Sequence, residues 1–326
     1  MGLKWLPLCL LVGAQGALAE EPLYVKNLSP VAGLVGLPSQ RSADISPVGK
    51  FDLAVHGSVA SHYVSEARGA EFLNLDGETA RLALEARYAL SENWDLQLEV
   101  PWLKHSGGNL DSLIDSWHSL WGMSDGGRSN VERDLLDYRY TGADSFALTD
   151  DSSGLGDTSL SLSYRFYTAN TASAAVVAGY KFATGDEADF LGSGADDAYI
   201  ALRFSGDHEG DLPLRWHGQL GYLYAGESDL IANIQEQHLW FAGLGLDWRI
   251  SQSWSLLGQL DAHAAPTDSA IQGIGETAVM LSVGARWRFA EKWALDLSLV
   301  EDLQVETAPD VVFQAGVRWR PSASLA

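Results

Sequence analysis

The sequence predicts an all-β protein, a transmembrane antiparallel β-barrel of about twelve strands, and three observations carry that prediction. Stretches of alternating apolar and polar residues repeat along the chain with the period of a strand whose two faces meet different surroundings. The connections between these stretches alternate strictly, short then long, like the tight inner turns and larger outer loops of a bacterial barrel. Aromatic residues gather beside the connections, in the register that would face lipid.

The last strand, Val311–Trp319, displays the pattern most clearly. Val311, Phe313, Ala315, Val317 and Trp319 share one face, while Val312, Gln314, Gly316 and Arg318 share the other. A strand of about 9 to 11 residues crosses an outer membrane at a tilt. Lipid cannot satisfy an open sheet edge, so this strand must pair with the first one.

In chain order, residues 1–19 carry one base, Lys4, an apolar core from Trp5 to Val12 and the small-residue ending Ala17-Leu18-Ala19, the pattern of a cleaved secretory signal. The mature chain is therefore expected to begin at Glu20. Cys9, the only cysteine, lies in this segment behind Leu8 rather than a small residue, which argues against a lipid anchor. Without it the chain has no thiol, disulfide or thiolate-bound metal. It would hold 43 acids against 20 bases, a net charge of −23, which argues against nucleic acid as a partner. No later apolar run approaches the roughly 18 residues of a membrane helix, so crossing must be by strands.

Residues 20–49 contain two proline turns, at Pro30 and Pro38, and no sustained alternation. They are expected either in the periplasm or folded up into the lumen. The barrel is expected over 50–320, with strands at 51–64, 78–90, 94–104, 155–167, 173–184, 195–205, 213–225, 237–250, 254–264, 276–289, 293–303 and 310–319, and a short tail at 321–326. Short turns fall at 91–93, 168–171, 206–212, 251–253 and 290–292; outer loops fall at 65–77, 105–154, 185–194, 226–236, 265–275 and 304–309. An even strand count puts both chain ends on the inner side. Tyr88, Trp94, Phe166, Phe204, Trp216, Trp248, Trp254, Phe289, Trp293 and Trp319 form an inner aromatic girdle; Tyr63, Trp102, Phe182, Tyr224 and Trp240 form an outer one.

The opposite register is polar, and polar groups cannot face hydrocarbon without a cost of a few kcal/mol each near the midplane. It is therefore expected to line a wet lumen. Arg81, Glu85, Arg87, Arg165, Arg203, Arg215, Arg249, Asp261, Arg288 and Arg318 are the candidate selectivity residues. Charge is sorted by depth. Arginines cluster by the short turns, whereas Glu66, Glu71, Asp76, Asp111, Asp115, Asp186, Glu187, Asp189, Glu227, Asp229, Glu236, Asp268, Glu276 and Glu306 crowd the long loops. An acidic mouth would concentrate cations and bind divalent ions shared with lipopolysaccharide; a basic inner rim would favour anions.

Within the longest loop, Leu110, Leu113, Ile114, Trp117, Leu120 and Trp121 recur at helical spacing between Gly107-Gly108 and Gly126-Gly127. A short amphipathic helix is expected there, acting as a lumen constriction, a lid or a cap on the outer leaflet. Asp111, Asp115, Trp117, His118 and Trp121 are its candidate constriction residues. His105-Ser106 with Asp111 and His118 holds the residue types of a hydrolase, but adjacency in a glycine-rich turn does not assemble a catalytic triad. His56, His62, His217 and His263 point inward with no ligand spacing, so no metal or other cofactor is expected, and no catalysis.

Asn27-Leu28-Ser29-Pro30 with Gly36-Leu37-Pro38, the runs 105–108 and 125–128, Thr184-Gly185-Asp186, Asp261-Ala262-His263, and 300–302 with 308–313 resemble a proteobacterial family catalogued as domain of unknown function 3187. The resemblance covers nearly the whole mature chain. It implies an outer-membrane barrel and transfers no functional residues. More loosely, the barrel resembles small-solute channels such as nucleoside and oligogalacturonate porins, an analogy of fold. The expected protein is a monomeric, selective diffusion channel for small polar or amphipathic solutes in the Gram-negative outer membrane. Its expected partners are membrane lipids, lipopolysaccharide and the barrel-assembly machinery. The alternatives are an envelope-assembly barrel with a plugged lumen and an outer-membrane hydrolase.

Overall fold

A computed structural model describes residues 20–108, 135–304, 307–309 and 311–320. The expected signal segment, the expected helix with Asp111, Asp115, Trp117, His118 and Trp121, and the 321–326 tail lie outside the described residues. Twelve antiparallel strands close into a barrel: β1 (Phe51–Arg68), β2 (Glu71–Ala89), β3 (Trp94–Ser106), β7 (Thr158–Thr168), β8 (Ala172–Phe182), β9 (Asp197–Asp207), β10 (Leu214–Tyr224), β11 (His238–Arg249), β12 (Trp254–His263), β13 (Ala278–Ala290), β14 (Trp293–Asp302) and β15 (Val311–Trp319). The last strand closes on the first from Leu53↔Trp319 to Ser61↔Val311. Neither edge is left for lipid.

The outward face follows the alternation. Leu82, Leu84, Leu244, Leu246, Val283 and Leu297 are all exposed, Leu244 by 67%. So broad an apolar belt is stable only in contact with hydrocarbon. The girdle aromatics stand at its edge and touch one another, as with Trp254 stacked on Trp287 at 5.8 Å and Trp94 beside Tyr164 at 4.7 Å.

Two expectations for the outer side are corrected. Residues 65–77 are not a loop, because β1 and β2 run on above the membrane to a tight turn at Gly69, whose φ is +62°. The 105–154 connection contains three short strands among its described residues: β4 (Asp137–Thr141), β5 (Ser145–Leu148) and β6 (Ser152–Leu155). β4 pairs with β2 at Phe72–Asp76, β5 with β4, and β6 with upper β3. Gly77 marks the exchange of partners, with β3 below it and β4 above. Its φ is +152°, and a Cβ there would lie 2.9 Å from a methyl group of Leu136. These added strands alternate over only a few residues each, too few to stand out without the partners that stabilise them.

Above the membrane, Leu73, Leu75, Tyr138, Tyr140, Phe146, Phe190, Ile231, Ile234, Ile271 and Ile274 come together in one buried cluster. It draws on the β1–β2 hairpin, the β4–β5 hairpin and three further loops. Val31 and Leu34 reach it from inside the barrel. Two smaller clusters lie against the wall within the lumen, one around Leu23, Val25 and Leu28 and one around Leu223, Leu239 and Phe241.

Candidate functional site in the barrel lumen

The lumen is occupied by the chain's own residues from Glu20 to Ser46. None of the backbone–backbone hydrogen bonds among the described residues joins this segment to the barrel wall; the first such links are Gly49 N to Ala89 O and Ala89 N to Lys50 O. The chain climbs from the inner end, folds over at a 3-10 turn, Ala32–Leu34, and descends to β1. Pro30 and Pro38, which cannot donate to a ladder, suit a segment with no strand partner. The two limbs are stitched where Lys26 Nζ donates to Leu37 O at 2.8 Å and Ser39 Oγ to Val25 O at 2.7 Å. Everything else that holds the segment to the wall passes through side chains.

At the inner end, the Glu20 carboxylate meets Arg249 at 2.5 Å, Arg288 at 2.8 Å and Arg286 at 3.0 Å. Glu21 meets Arg87 at 2.9 Å and also Arg320. Wall carboxylates complete the network: Asp95 lies 2.6 Å from Arg87, and Asp296 is shared by Arg286 at 2.6 Å and Arg318 at 2.8 Å. Arg215 binds both Asp44 of the descending limb and Asp207 of the wall. Burial pushes the Glu20 carboxyl up, but Arg286, Arg288 and Arg249 outweigh it and hold the group at about 2. The basic inner rim is thus neutralised from within.

Midway, Glu99 receives Arg81 at 2.6 Å, Lys26 at 3.4 Å and the Tyr24 hydroxyl at 3.0 Å. Tyr24 stacks on His56 with 4.1 Å between ring centroids. Glu85 takes Arg41 from the descending limb and Gln97 from the wall. Asp261 takes the amides of Gln40 and Gln259, each at 2.8 Å. Gly243 admits this approach, since a Cβ there would lie 2.2 Å from Gln40 Nε2. Asn27 bonds His263 at 3.0 Å. Near the apex, Lys181 binds Asp157 at 2.9 Å, Asp197 at 3.1 Å and Leu34 O at 2.9 Å, and Asp197 also accepts the Gly36 N–H. A cavity of about 90 Å³ remains around the apex, bordered by Lys26, Asn27, Leu103, His105, Phe190 and His263.

The alternation located these side chains on the inner face, and most of the arginines among them are paired. Arg81, Arg87, Arg215, Arg249, Arg288 and Arg318 all contact carboxylates, while Arg165 lies at the rim and donates to Glu92 O at 2.7 Å. Arg203 is buried without an acid in contact. The decisive partners, Glu20, Glu21, Lys26, Gln40, Arg41 and Asp44, belong to a segment with no pattern of its own. The polar residues on either side of the apolar run between Pro30 and Pro38 were the available signal.

Some of the loop acids are engaged by other side chains, while Asp186, Asp189, Glu227, Asp229, Glu236 and Asp268 stay exposed at the outer end. Glu71 accepts from Ser269 and Tyr140, Glu187 from Ser228, Glu276 from Gln272 and Gln304, and Asp144 from Asn233. They tie one outer loop to another. Among the described residues no group of three or more His, Cys, Asp or Glu side chains is placed to hold a metal ion. Both ring nitrogens of His105 are engaged, by Thr79 Oγ1 and Phe190 O at 3.0 Å each, so His105 is not free to act as a base for Ser106.

A closed twelve-stranded sheet, a lipid-facing apolar belt and a polar interior filled by the N-terminal segment define an outer-membrane-type β-barrel with an internal plug. The chain belongs to the family described as "Protein of unknown function (DUF3187)", matching it over residues 9–320. No curated protein matches it. Among solved structures it is similar to the COG4313 outer membrane channel from Pseudomonas putida F1, with 16% identity, 85% of this chain and 96% of that one covered and a TM-score of 0.55. It is more distantly similar to the KdgM porin in complex with disordered oligogalacturonate, with 9% identity, coverage of 83% and 99% and a TM-score of 0.45. The Ralstonia pickettii toluene transporter TbuX aligns at 12% identity, with coverage of 90% and 92% and a TM-score of 0.42. At these identities the likeness is one of fold.

Proposed function

We propose that the protein is a gated diffusion channel for small polar or amphipathic solutes, with residues 20–46 as the gate. One observation carries this reading: the lumen is closed by a segment held by side-chain contacts, with no backbone link to the wall below Gly49. A segment built into the sheet could leave only by breaking the ladder, whereas this one can leave while every strand keeps its partners. The fold neighbour described as an outer membrane channel supports the same reading. The arginines listed above as selectivity residues take a second role in it. Arg87, Arg249 and Arg288 among them are the receptor for Glu20 and Glu21 when the gate is shut, and become a positive inner rim when it is open.

A plugged, structural barrel is the second reading, and the apolar cluster over the outer mouth favours it, because it must also open before solute can pass. Single-channel recording in planar bilayers separates the two. The gated reading expects a mostly closed wild-type chain and a Glu20→Gln, Glu21→Gln variant that opens more often. Silence from both proteins, each shown to be folded by heat-dependent gel mobility, would establish the structural reading instead.

A further inference from the structure

Five arginines are buried among the described residues: Arg41, Arg87, Arg203, Arg286 and Arg318. Four touch a carboxylate, as Arg41 does Glu85, Arg87 both Glu21 and Asp95, and Arg286 and Arg318 Asp296. Arg203 does not. Its side chain is 1% exposed, and its Nε and Nη1 have no hydrogen-bond partner. A guanidinium cannot shed its proton to escape burial, and an unsatisfied buried group of this kind requires a physical explanation.

The surroundings supply one. Arg203 stands on β9 between Ala175 of β8 and Gln219 of β10. It borders a cavity of about 20 Å³ with Lys26, Gln97, Glu99, Ser159, Ser161 and Tyr199. A space of that size holds one water molecule or an ion of similar bulk. Of the acids near it, Glu99 at the cavity is already held by Arg81 and Lys26, at 2.6 and 3.4 Å, and Glu21 and Asp95 by Arg87, at 2.9 and 2.6 Å. Water there would satisfy hydrogen bonds and leave the charge unbalanced. An anion would do both, with the serine hydroxyls completing its shell.

We propose that Arg203 is an anion-binding point in the barrel lumen, taking a small monatomic anion, a halide. Occupancy needs no open pore, so this site stands or falls separately from the gate. The test is thermal unfolding of the full-length chain in detergent micelles, in sodium chloride against sodium gluconate at equal ionic strength. Gluconate is too large for the cavity, and matched ionic strength keeps screening of the ion pairs constant. The wild-type melting temperature should rise with chloride concentration, as for any ligand that binds only the folded state. The rise should vanish in Arg203→Gln and persist in Arg165→Gln. An equal response in the wild type and Arg203→Gln, or no response in either, overturns the assignment. Should Arg203→Gln fail to fold, bromide diffused into wild-type crystals gives a second measurement. Anomalous density within hydrogen-bond distance of the Arg203 guanidinium supports the site, and its absence there overturns it.

Discussion

The two ends of the lumen are closed by opposite physics. At the inner end, Glu20 and Glu21 meet Arg87, Arg249, Arg286, Arg288 and Arg320 in a directional network of charges. At the outer end, Tyr138, Tyr140, Phe146, Phe190, Ile231 and Ile271 form a cluster whose contacts are non-directional. Removing one partner of a buried ion pair costs about 3–5 kcal/mol, because the other charge remains buried and alone. An apolar cluster instead loses stability by increments, about 1.5–3 kcal/mol for each large side chain withdrawn from burial. The inner closure can therefore act as a latch, released by one local change, and the outer closure as a seal that yields gradually.

The comparison can be broken most decisively by deleting residues 20–46. Single-channel conductance should rise severalfold while heat-dependent gel mobility shows the barrel intact, since no strand loses a ladder partner. Unchanged conductance in a folded deletion variant would make the outer seal the true barrier. Next in size is Glu21→Gln, which should weaken the hold of the segment by about 3–5 kcal/mol. Limited proteolysis from the inner face would report it as cleavage between Leu28 and Gln40, bonds that should resist in the wild type.

Leu73→Ala should cost about 2–5 kcal/mol of stability through the cavity it leaves in the outer cluster. Its mark should be faster cleavage of the outer loops, with the latch, read as cleavage between Leu28 and Gln40, unaltered. A change in channel opening comparable to that of Glu21→Gln would show the two ends to be one coupled device. The smallest effect concerns pH. Glu20 is held at about 2, below its ordinary value of 4.5, so its contribution to the latch is full above that ordinary value and is lost only as pH falls through about 2. Channel opening governed by this contact should therefore be unchanged from about pH 5 to pH 8. A titration within that range would assign the latch to a different group.

The strands were legible because their period of two survives in the chain: Phe313, Ala315 and Val317 alternate with Gln314, Gly316 and Arg318 whatever lies around them. The girdle was legible for the same reason, since Trp248, Trp254 and Trp293 mark interface depth one strand at a time. Inward orientation of Arg87, Arg288 and Arg318 followed from that register as well. By itself, then, the sequence determined the barrel, its lipid face and the depth at which its arginines sit, because each depends on local alternation. Only the tertiary structure decided what those arginines bind and what fills the lumen. Glu20 lies 266 residues from Arg286 in the chain, and Leu73, Phe146, Ile231 and Ile271 come from separate connections. Such contacts carry no period, and they exist only once ring closure has brought the strand ends and outer loops together around the N-terminal segment.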